Sequence, residues 1–300
     1  MGRKIILMKK AFTLIELVFV IVIFGIVAVI GSEILLKVYD NYLRTRSQLE
    51  YQQKLNLASQ QISLRLKYAI FDSLIVKETN ASNPASIQGH SFSNDITIYE
   101  WIGRDNESLR GDSSTKPGWS GFVDLYSPDT NATQIKSSGS NFSDANNTIN
   151  ALSYGTKTIN DAVIIFSNAL GDSLNGYGFN YIHHNHYKTF PIVYKTDDIL
   201  EYTNTYPTEH RISEKYDLAW TAYALVLEGD GEDNKTLKLY YNYQPWKNER
   251  YYSHADSSIL VENVSKFYMT QENKSLHFEL CIKDPLYPNL KPYCQEKGVY

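Results

Sequence analysis

The chain carries one long apolar run close to its N-terminus. Residues 17–31 read LVFVIVIFGIVAVIG and contain no charged or strongly polar side chain, and residues 12–15 extend the run with Glu16 as its single charge. About 20 such residues, at a rise of 1.5 Å each, make about 30 Å of helix, which is the thickness of a bilayer core. The pattern therefore predicts a transmembrane helix over residues 12–31.

The helical pattern continues beyond this run. Residues 32–83 contain neither Gly nor Pro, and the first proline of the chain is Pro84. Apolar residues recur there at roughly helical spacing among Arg, Lys, Gln and Ser, namely Leu35, Val38, Tyr39, Tyr42, Leu49, Leu57, Leu64 and Ile70. We therefore expect one helix from Phe12 to about Val76, about 95 Å long, with residues 32–83 as the continuation outside the membrane.

After Pro84 the spacing of apolar residues changes from helical to alternating. Alternation predicts half-buried strands, and short continuous apolar runs predict buried strands. Such stretches fall at residues 96–102, 162–166, 218–227, 237–243 and 276–283. In the fourth stretch we expect Leu237, Leu239, Tyr241 and Tyr243 to share one face.

Two polar stretches, residues 103–118 and 127–150, interrupt these strands. The second is rich in Asn, Ser, Thr and Asp and is predicted to be a mobile surface insertion. The patterns together indicate an α+β fold, in which one very long N-terminal helix packs on a mainly antiparallel sheet. Residues 84–300 are expected to form this β-rich head.

The charges give the chain a direction in the membrane. The cations on the N-terminal side of the span are Arg3, Lys4, Lys9 and Lys10, and these are expected to stay in the cytoplasm with the rest of the chain outside it. The formal net charge is −4, and the chain without these four cations carries −8. This balance disfavours DNA or an anionic lipid face as a partner.

Two ordinary interpretations of the N-terminus leave Glu16 unexplained. One is a secretory signal peptide cut after the small residue Gly31, and the other is a plain single-span anchor. An ionised carboxylate inside an apolar span costs about 2.5–3.5 kcal/mol on insertion scales, so it usually has a functional partner.

Residues 9–17 (KKAFTLIEL) resemble the prepilin cleavage and methylation motif of type IV pilins and type II secretion pseudopilins. In that family a dedicated peptidase cuts before the apolar run and methylates the new N-terminal amine. The resemblance implies a leader of residues 1–11, a cut between Ala11 and Phe12, and N-methylation of Phe12. The family usually has Gly before the cut, where this chain has Ala11.

The resemblance also implies an assembly role for Glu16. The N-terminal amine of a neighbouring subunit would neutralise its carboxylate, and burying that pair fixes the register between subunits. The implied partners are other pilins or pseudopilins of the same filament, the prepilin peptidase and an inner-membrane assembly platform. The implied location is the bacterial inner membrane, crossed once, with the head in the periplasm and the chain incorporated into an envelope-spanning filament.

Two features favour a pilin-like minor subunit at or near the filament tip. Many major pilins have a proline in this helix, whereas this chain has none between Gly31 and Pro84. The head is also large, as in the J-type pseudopilin of type II secretion and the W-type minor pilin of type IV pili. Residues 239–283 resemble the C-terminal part of those two subunits.

Two other functions remain open from the sequence. A tip adhesin or a DNA- or ligand-binding module on the same scaffold could use Trp101, Trp119 and Trp246, although such residues are more often in the core, and the negative head disfavours nucleic acid. A membrane-tethered enzyme would need a pocket with perturbed titrating groups. No dinucleotide-binding, phosphate-loop, nucleophile-elbow or HExxH motif occurs, so we predict no catalytic residues and no enzymatic activity.

The two cysteines, Cys281 and Cys294, bracket a segment with three prolines. An exported head lies in an oxidising space, where a disulfide is expected and would contribute about 3 kcal/mol. Many pilins have such a disulfide-bracketed region, so the resemblance implies the same pairing. Free thiols and a metal site are the alternatives, although two cysteines without a nearby histidine make a poor zinc site.

Two further clusters are weak ligand candidates. Asp230, Glu232 and Asp233 lie in an acidic, glycine-rich segment that suits calcium, but this segment also fits a hairpin turn between two strands, and no other cofactor is predicted. The histidine cluster, residues 183–186, has no acid or cysteine close in sequence and is predicted to be a solvated loop or strand edge.

Eight Asn-x-Ser/Thr sequons mark possible glycosylation sites. They start at Asn80, Asn106, Asn131, Asn141, Asn146, Asn234, Asn263 and Asn273. Four of them have an acidic residue two positions earlier, a longer pattern that resembles the acceptor of bacterial N-glycosylation. These four candidates are Asn80, Asn131, Asn146 and Asn234.

Overall fold

The computed structural model describes residues 13–78, 83–88, 97–110, 116–167, 176–179, 188–203, 212–229, 234–272 and 275–299. The chain divides into two compact units, residues 1–52 and 53–300. We call the second unit the head. Helix α1 contributes residues to both units, so each part of it is described with its own unit.

Four helices and thirteen strands are formed by the described residues. The helices are α1 (Leu14–Leu66), α2 (Asn106–Leu109), α3 (Phe142–Leu152) and α4 (Tyr251–His254). The strands are β1 (Ile75–Lys77), β2 (Ala85–Ser86), β3 (Ile98–Gly103), β4 (Gln134–Lys136), β5 (Val163–Phe166), β6 (Phe190–Thr196), β7 (Ile199–Tyr202), β8 (Tyr216–Ala219), β9 (Thr221–Glu228), β10 (Lys235–Tyr243), β11 (Asp256–Glu272), β12 (Ser275–Ile282) and β13 (Tyr293–Val299). Three short 3-10 turns occur at Phe71–Ser73, Ile159–Asp161 and Pro245–Lys247.

The strands form two sheets. One has eight strands in the order β13-β12-β11-β10-β9-β3-β1-β2, and the other has five in the order β4-β7-β6-β5-β8. Every pair of neighbouring strands is antiparallel among the described residues. This layout, a long N-terminal helix with mainly antiparallel sheets, confirms the predicted α+β, pilin-like fold.

The last turns of α1 belong to the head and bury one face there. The buried positions recur every three or four residues, as one face of a helix requires, and they are Leu55, Ala58, Ile62 and Leu66. The sequence pattern had singled out Leu57 and Leu64 instead, and these side chains are 62% and 52% exposed. The helix itself is confirmed, but the head does not bury the predicted apolar stripe. The face that it buries includes a small residue, Ala58, which the search for large apolar side chains did not select.

Helix α1 ends at Leu66, which corrects the predicted end near Val76. No Gly or Pro lies at this end of the helix; the chain joins the sheet instead. The N–H of Ile70 donates to the carbonyl of Ile102 at 2.9 Å, and Ile75–Lys77 pairs with β3. The apolar side chains buried in this stretch are Ile70, Leu74, Ile75 and Val76. Three consecutive buried residues suit a strand covered on both sides and cannot all lie on one face of a helix.

Residues 127–150 are folded, which corrects the prediction of a mobile insertion. They contain strand β4 and most of helix α3, which buries Phe142, Ala145 and Ile149. The side chain of Asn141 caps this helix by accepting the N–H of Asp144. The polar composition of the stretch therefore reflects an amphipathic helix and its cap.

Strand β10 departs from strict alternation near its end. The register shifts between Tyr240 and Tyr243, and Asn242 between them has a φ of 63°. The shift buries Tyr243 and leaves Tyr241 partly exposed, so these two do not share an equally buried face as predicted. A bulge of this kind adds a residue to one strand and turns the side chains that follow.

The described residues of the head form two aromatic-rich cores. One lies around the five-stranded sheet and α3, and its large side chains include Trp119, Phe142, Phe166, Phe190 and Trp220. The other contains Tyr177, Phe179, Tyr243, Trp246 and Tyr251. Trp101 is also fully buried. The tryptophans weighed as ligand contacts, Trp101, Trp119 and Trp246, are therefore core residues.

Candidate functional sites

The first turn of α1 carries Glu16. The carbonyl of Thr13 accepts the N–H of Glu16 at 3.1 Å and that of Leu17 at 3.2 Å, so Glu16 lies in the turn where the helix dipole favours a negative charge. Its side chain is exposed. The predicted processing residues Ala11 and Phe12 lie outside the described residues.

The N-terminal part of α1 is apolar on every side. The large side chains of residues 14–30 are all exposed, for example Leu14 at 82% and Phe24 at 72%. Among the described residues this is the one helix that is long and apolar enough to cross a bilayer. A helix that is hydrophobic all round is covered by lipid or by other helices, so this segment fits a membrane anchor.

Cys281 and Cys294 lie directly opposite each other on β12 and β13. Their Cα atoms are 4.0 Å apart and their sulfurs are joined at 2.07 Å, in a disulfide that closes the connection between the two strands. Strand β13 is an edge strand of the eight-stranded sheet. The bond therefore ties an edge strand, whose outer side has no neighbouring strand, to the sheet.

The glycosylation candidates have different surroundings. Asn131 is exposed in a turn, where its Oδ1 accepts the N–H and the hydroxyl of Thr133 at 2.9 and 2.8 Å. The Oδ1 of Asn146 instead accepts the N–H of Ile159. Asn234 is exposed next to β10, and Asn80 lies outside the described residues. Glycosylation stays a prediction, and Asn131 and Asn234 are the exposed acceptors among the three described candidates.

The remaining ligand candidates lie outside the part of the chain that the structure describes. Asp230, Glu232 and Asp233 lie outside the described residues, as does the histidine cluster of residues 183–186. Calcium binding therefore stays a prediction.

The head contains a cleft that the sequence did not reveal. Its larger compartment has a volume of about 370 Å³ and lies among the end of α1, the α3 end and strands β9, β10 and β11. A smaller compartment of about 230 Å³ continues it toward β3 and α2. Both compartments share Arg65, Glu107 and Tyr223 as lining residues. We call the two together the arginine–tyrosine cleft.

Guanidinium groups give this cleft a positive character. Arg104 is paired with Asp217, with Nε 2.7 Å from Oδ1. Arg65 lies over the ring of Tyr223, with its Cζ 6.0 Å from the ring centre. Within the described part of the chain, Arg65 and Arg110 have no carboxylate at ion-pair distance. Glu107 is the single acid among the described residues that line the cleft, and no ion pair joins it to Arg65 or Arg110.

Tyr223 is closely packed where the two compartments meet. Residue 103 is a glycine, and a Cβ there would overlap the Tyr223 ring. The ring also packs on Trp101 at a centroid distance of 5.8 Å. Burial raises the pKa of Tyr223 to about 12, although Arg65 acts in the opposite direction. The phenol therefore stays protonated at neutral pH and can donate a hydrogen bond into the cleft.

Tyr154 contributes a second ring in an unusual backbone position. It follows the last turn of α3 with a φ of 53°, in the left-handed region where helix ends favour glycine or asparagine. A non-glycine residue there costs on the order of 1 kcal/mol. The side chain is nevertheless 86% exposed, so no burial offsets this cost. An exposed aromatic residue in a strained position suggests a binding role.

Sequence reasoning missed the cleft because its residues come from distant parts of the chain. Arg65, Glu107, Tyr223 and Tyr241 lie on four different elements, Tyr154 lies in the turn after α3, and the five share no motif. The one local sequence feature that points to the cleft is Tyr154, which directly precedes Gly155 after α3. A Tyr-Gly pair is too common to indicate a binding site by itself.

Comparison with known proteins adds one finding. Residues 7–32 match the family described as Prokaryotic N-terminal methylation motif. The match covers the last residues of the predicted leader and the apolar start of α1, and it includes residues 9–17, which resemble the prepilin motif. No curated protein and no solved structure matches the chain.

The motif, the membrane-spanning helix and the fold agree with one another. The methylation motif begins just before α1 and overlaps the first turns of that helix. Helix α1 continues into an α+β head with mainly antiparallel sheets. These findings together support a type IV prepilin- or pseudopilin-type protein, with an N-terminal helix that fits a membrane anchor.

Proposed function

We propose that the protein is a minor subunit of a type IV pilus-like or type II secretion filament, placed at or near the tip. Its function is assembly through α1 rather than catalysis, in keeping with the structural role of proteins that carry this motif. The observation that best supports the proposal is the exposed apolar surface of α1, because this surface needs partners that the chain itself does not supply.

That surface extends beyond the membrane-spanning part. Its exposed apolar side chains after Gly31 include Leu35, Val38, Tyr39, Tyr42, Leu49, Leu57 and Leu64. In water, isolated exposed apolar residues need no explanation, but a series of this length along one helix fits packing against other helices. The residues that the sequence pattern selected as a stripe thus suit contact with neighbouring subunits.

Processing prepares the helix for this role. We propose that the prepilin peptidase cuts between Ala11 and Phe12 in the inner membrane, methylates Phe12 and leaves the head in the periplasm. The intact mass of the native protein tests this step, since it should correspond to residues 12–300 plus one methyl group. A mature chain that starts after Gly31 would instead support a secretory signal peptide.

Glu16 provides the sharpest test of assembly. We expect Glu16→Leu to insert into the membrane normally, because Leu is favourable in a bilayer, but to lose co-purification with sibling subunits by more than about tenfold. The tenfold loss corresponds to about 1.4 kcal/mol, which a desolvated charge pair readily supplies. The matched control is Glu33→Leu, which removes an exposed acid of the same helix outside the span.

The comparison of these two variants decides the proposal. Equal co-assembly of Glu16→Leu and the parent protein would remove the assembly role of the carboxylate. An equal loss in both variants would mean that any acid on α1 matters, and register would then not depend on Glu16.

A second candidate function is ligand binding by the head on the same scaffold. The buried tryptophans do not support it, since Trp101, Trp119 and Trp246 are in the core. The arginine–tyrosine cleft is the observation that favours it, because ligand pockets are concave and combine apolar or aromatic walls with a few polar groups.

A further inference from the structure

We propose that the arginine–tyrosine cleft binds an acidic saccharide, a sugar chain whose carboxylate pairs with Arg65 and whose rings lie against the tyrosines. This inference goes beyond the assembly role and does not depend on it, because the cleft lies entirely within the head.

The cation at the centre of the cleft selects an anionic group. Arg65 is partly buried and is shared by both compartments. A guanidinium presents a planar fork that matches a carboxylate, and this pairing is stronger where the site is partly shielded from water. The chain as a whole has a negative net charge. The positive charge of the cleft therefore comes from its own lining residues.

The walls indicate what the rest of the ligand is. Tyr154, Tyr223 and Tyr241 provide aromatic faces and phenol groups, and Gln61, Asn242 and Ser258 add amides and a hydroxyl. This mixture of flat apolar faces and neutral hydrogen-bonding groups complements a ring that carries many hydroxyls. The volume of the larger compartment, about 370 Å³, falls in the range of small-ligand sites.

Two other classes of ligand fit less well. A peptide that adds a strand needs a free edge, but the lining strands β9, β10 and β11 are paired on both sides. A nucleic acid needs many cations along its backbone, whereas among the described lining residues Arg65 and Arg110 are the cations without an acidic partner.

The experiment is a calorimetric titration of the full chain in a polyoxyethylene detergent, which has no sugar headgroup. The probes are trigalacturonate, the neutral maltotriose and a short oligo-dT. We expect trigalacturonate to bind at least tenfold more tightly than the other two. No binding of trigalacturonate, equal binding of maltotriose, or tighter binding of oligo-dT would each overturn the proposal.

Variants connect the binding to the cleft. Arg65→Gln should weaken trigalacturonate binding at least tenfold, and Glu107→Gln should strengthen it a few-fold because a repelling carboxylate is removed. The control Lys291→Gln removes an exposed cation that does not line the cleft and should change binding less than twofold. Opposite effects of the Arg65 and Glu107 changes are required; effects of the same sign would contradict the proposal.

Tyr154→Gly separates binding from folding. Glycine removes the strain at a φ of 53°, so the unfolding midpoint should rise or stay constant while trigalacturonate binding weakens at least fivefold. Unchanged binding would exclude Tyr154 from the site. Tyr126→Ala is the matched control, since Tyr126 is even more exposed and does not line the cleft. Glu16→Leu should leave binding unchanged, so failure of the assembly proposal is distinguishable.

Discussion

The N-terminal helix and the head differ in how they treat large apolar side chains: the helix exposes them and the head buries them. From Leu14 to Ile30 the helix leaves its large apolar side chains exposed on every side, whereas the head encloses Trp101, Phe142 and Phe190 completely. The head is therefore complete as a folded unit, and the helix is complete only in a membrane or among other helices. Substitutions in the head should change stability, and substitutions on the exposed helix should change assembly.

The largest effect is expected at a buried ion pair of the head. Lys77 Nζ donates to one oxygen of Glu100, and the hydroxyl of Tyr243 donates to the other oxygen at 2.8 Å. Glu100 is fully buried and Lys77 almost so. Glu100→Leu removes the carboxylate and leaves the Lys77 ammonium buried without it, so we expect a loss of about 3–5 kcal/mol in the free energy of unfolding.

Urea unfolding of the full chain in detergent measures this loss. All four tryptophans lie in the head, so their fluorescence reports its unfolding. The double variant Lys77→Met with Glu100→Leu should recover much of the loss, since neither charge of the pair is then buried. A single variant within about 1 kcal/mol of the parent would show that the pair does not contribute as inferred.

Two residues of the same helix test the contrast between burial and exposure. Ile62 is 1% exposed and faces the head core, whereas Leu64 is 52% exposed. We expect Ile62→Ala to cost about 2–5 kcal/mol in the unfolding free energy, because it leaves a cavity. Leu64→Ala should change stability by less than about 0.5 kcal/mol but reduce co-assembly with sibling subunits. The reverse pattern would contradict the assignment of the two faces.

This pair also shows how far the sequence can predict the molecule. The prepilin motif and the membrane helix are contiguous, so residues 9–31 contain all that is needed to recognise them. The choice of buried face on α1 depends on contacts with strands distant in sequence, and a small residue such as Ala58 carries no hydrophobic signal of its own. The prediction of where α1 ends is wrong for the same reason, since the N–H of Ile70 donates to the carbonyl of Ile102 in a later strand.

The fold class of the head could be predicted from the sequence, but its surface features could not. Alternation predicted several of its strands, but the composition of residues 127–150 concealed α3, whose buried positions are Phe142, Ala145 and Ile149. The arginine–tyrosine cleft could not be predicted, because Arg65 and Tyr223 are distant in sequence and meet only in the folded structure. Local patterns therefore predict the elements, and long-range pairing determines the site.

The disulfide gives a smaller effect that should stay within the head. Replacing Cys281 and Cys294 by Ser opens a loop with a sequence separation of 13 residues, and we expect a loss of about 3 kcal/mol in the unfolding free energy. Urea unfolding measures it, with the reduced parent protein as a control of equal stability. Insertion of α1 into the membrane should be unchanged. A variant as stable as the oxidised parent would show that the bond does not stabilise the head.

The smallest effect is a pH dependence caused by Asp105. Its carboxyl group is buried, accepts the N–H of Ser108 at 3.2 Å and also accepts the Ser108 hydroxyl. Burial raises the pKa of Asp105 from 3.8 to about 6. Between these two pH values the folded state binds more protons than the unfolded state, so the stability that this group contributes below pH 3.8 is lost as pH rises through about 6.

Asp105→Asn isolates that contribution, because the amide keeps an acceptor for Ser108 and does not ionise. The difference in unfolding free energy between variant and parent should shift in favour of the variant by about 1–3 kcal/mol from pH 4 to pH 7. Acids with lowered pKa values, such as Asp161 and Glu279, give slopes of the opposite sign, but both proteins share them and they cancel in the difference. A difference that is constant with pH would mean that the Asp105 carboxyl titrates alike in the folded and unfolded states, and burial in the head would then carry no electrostatic cost at this residue.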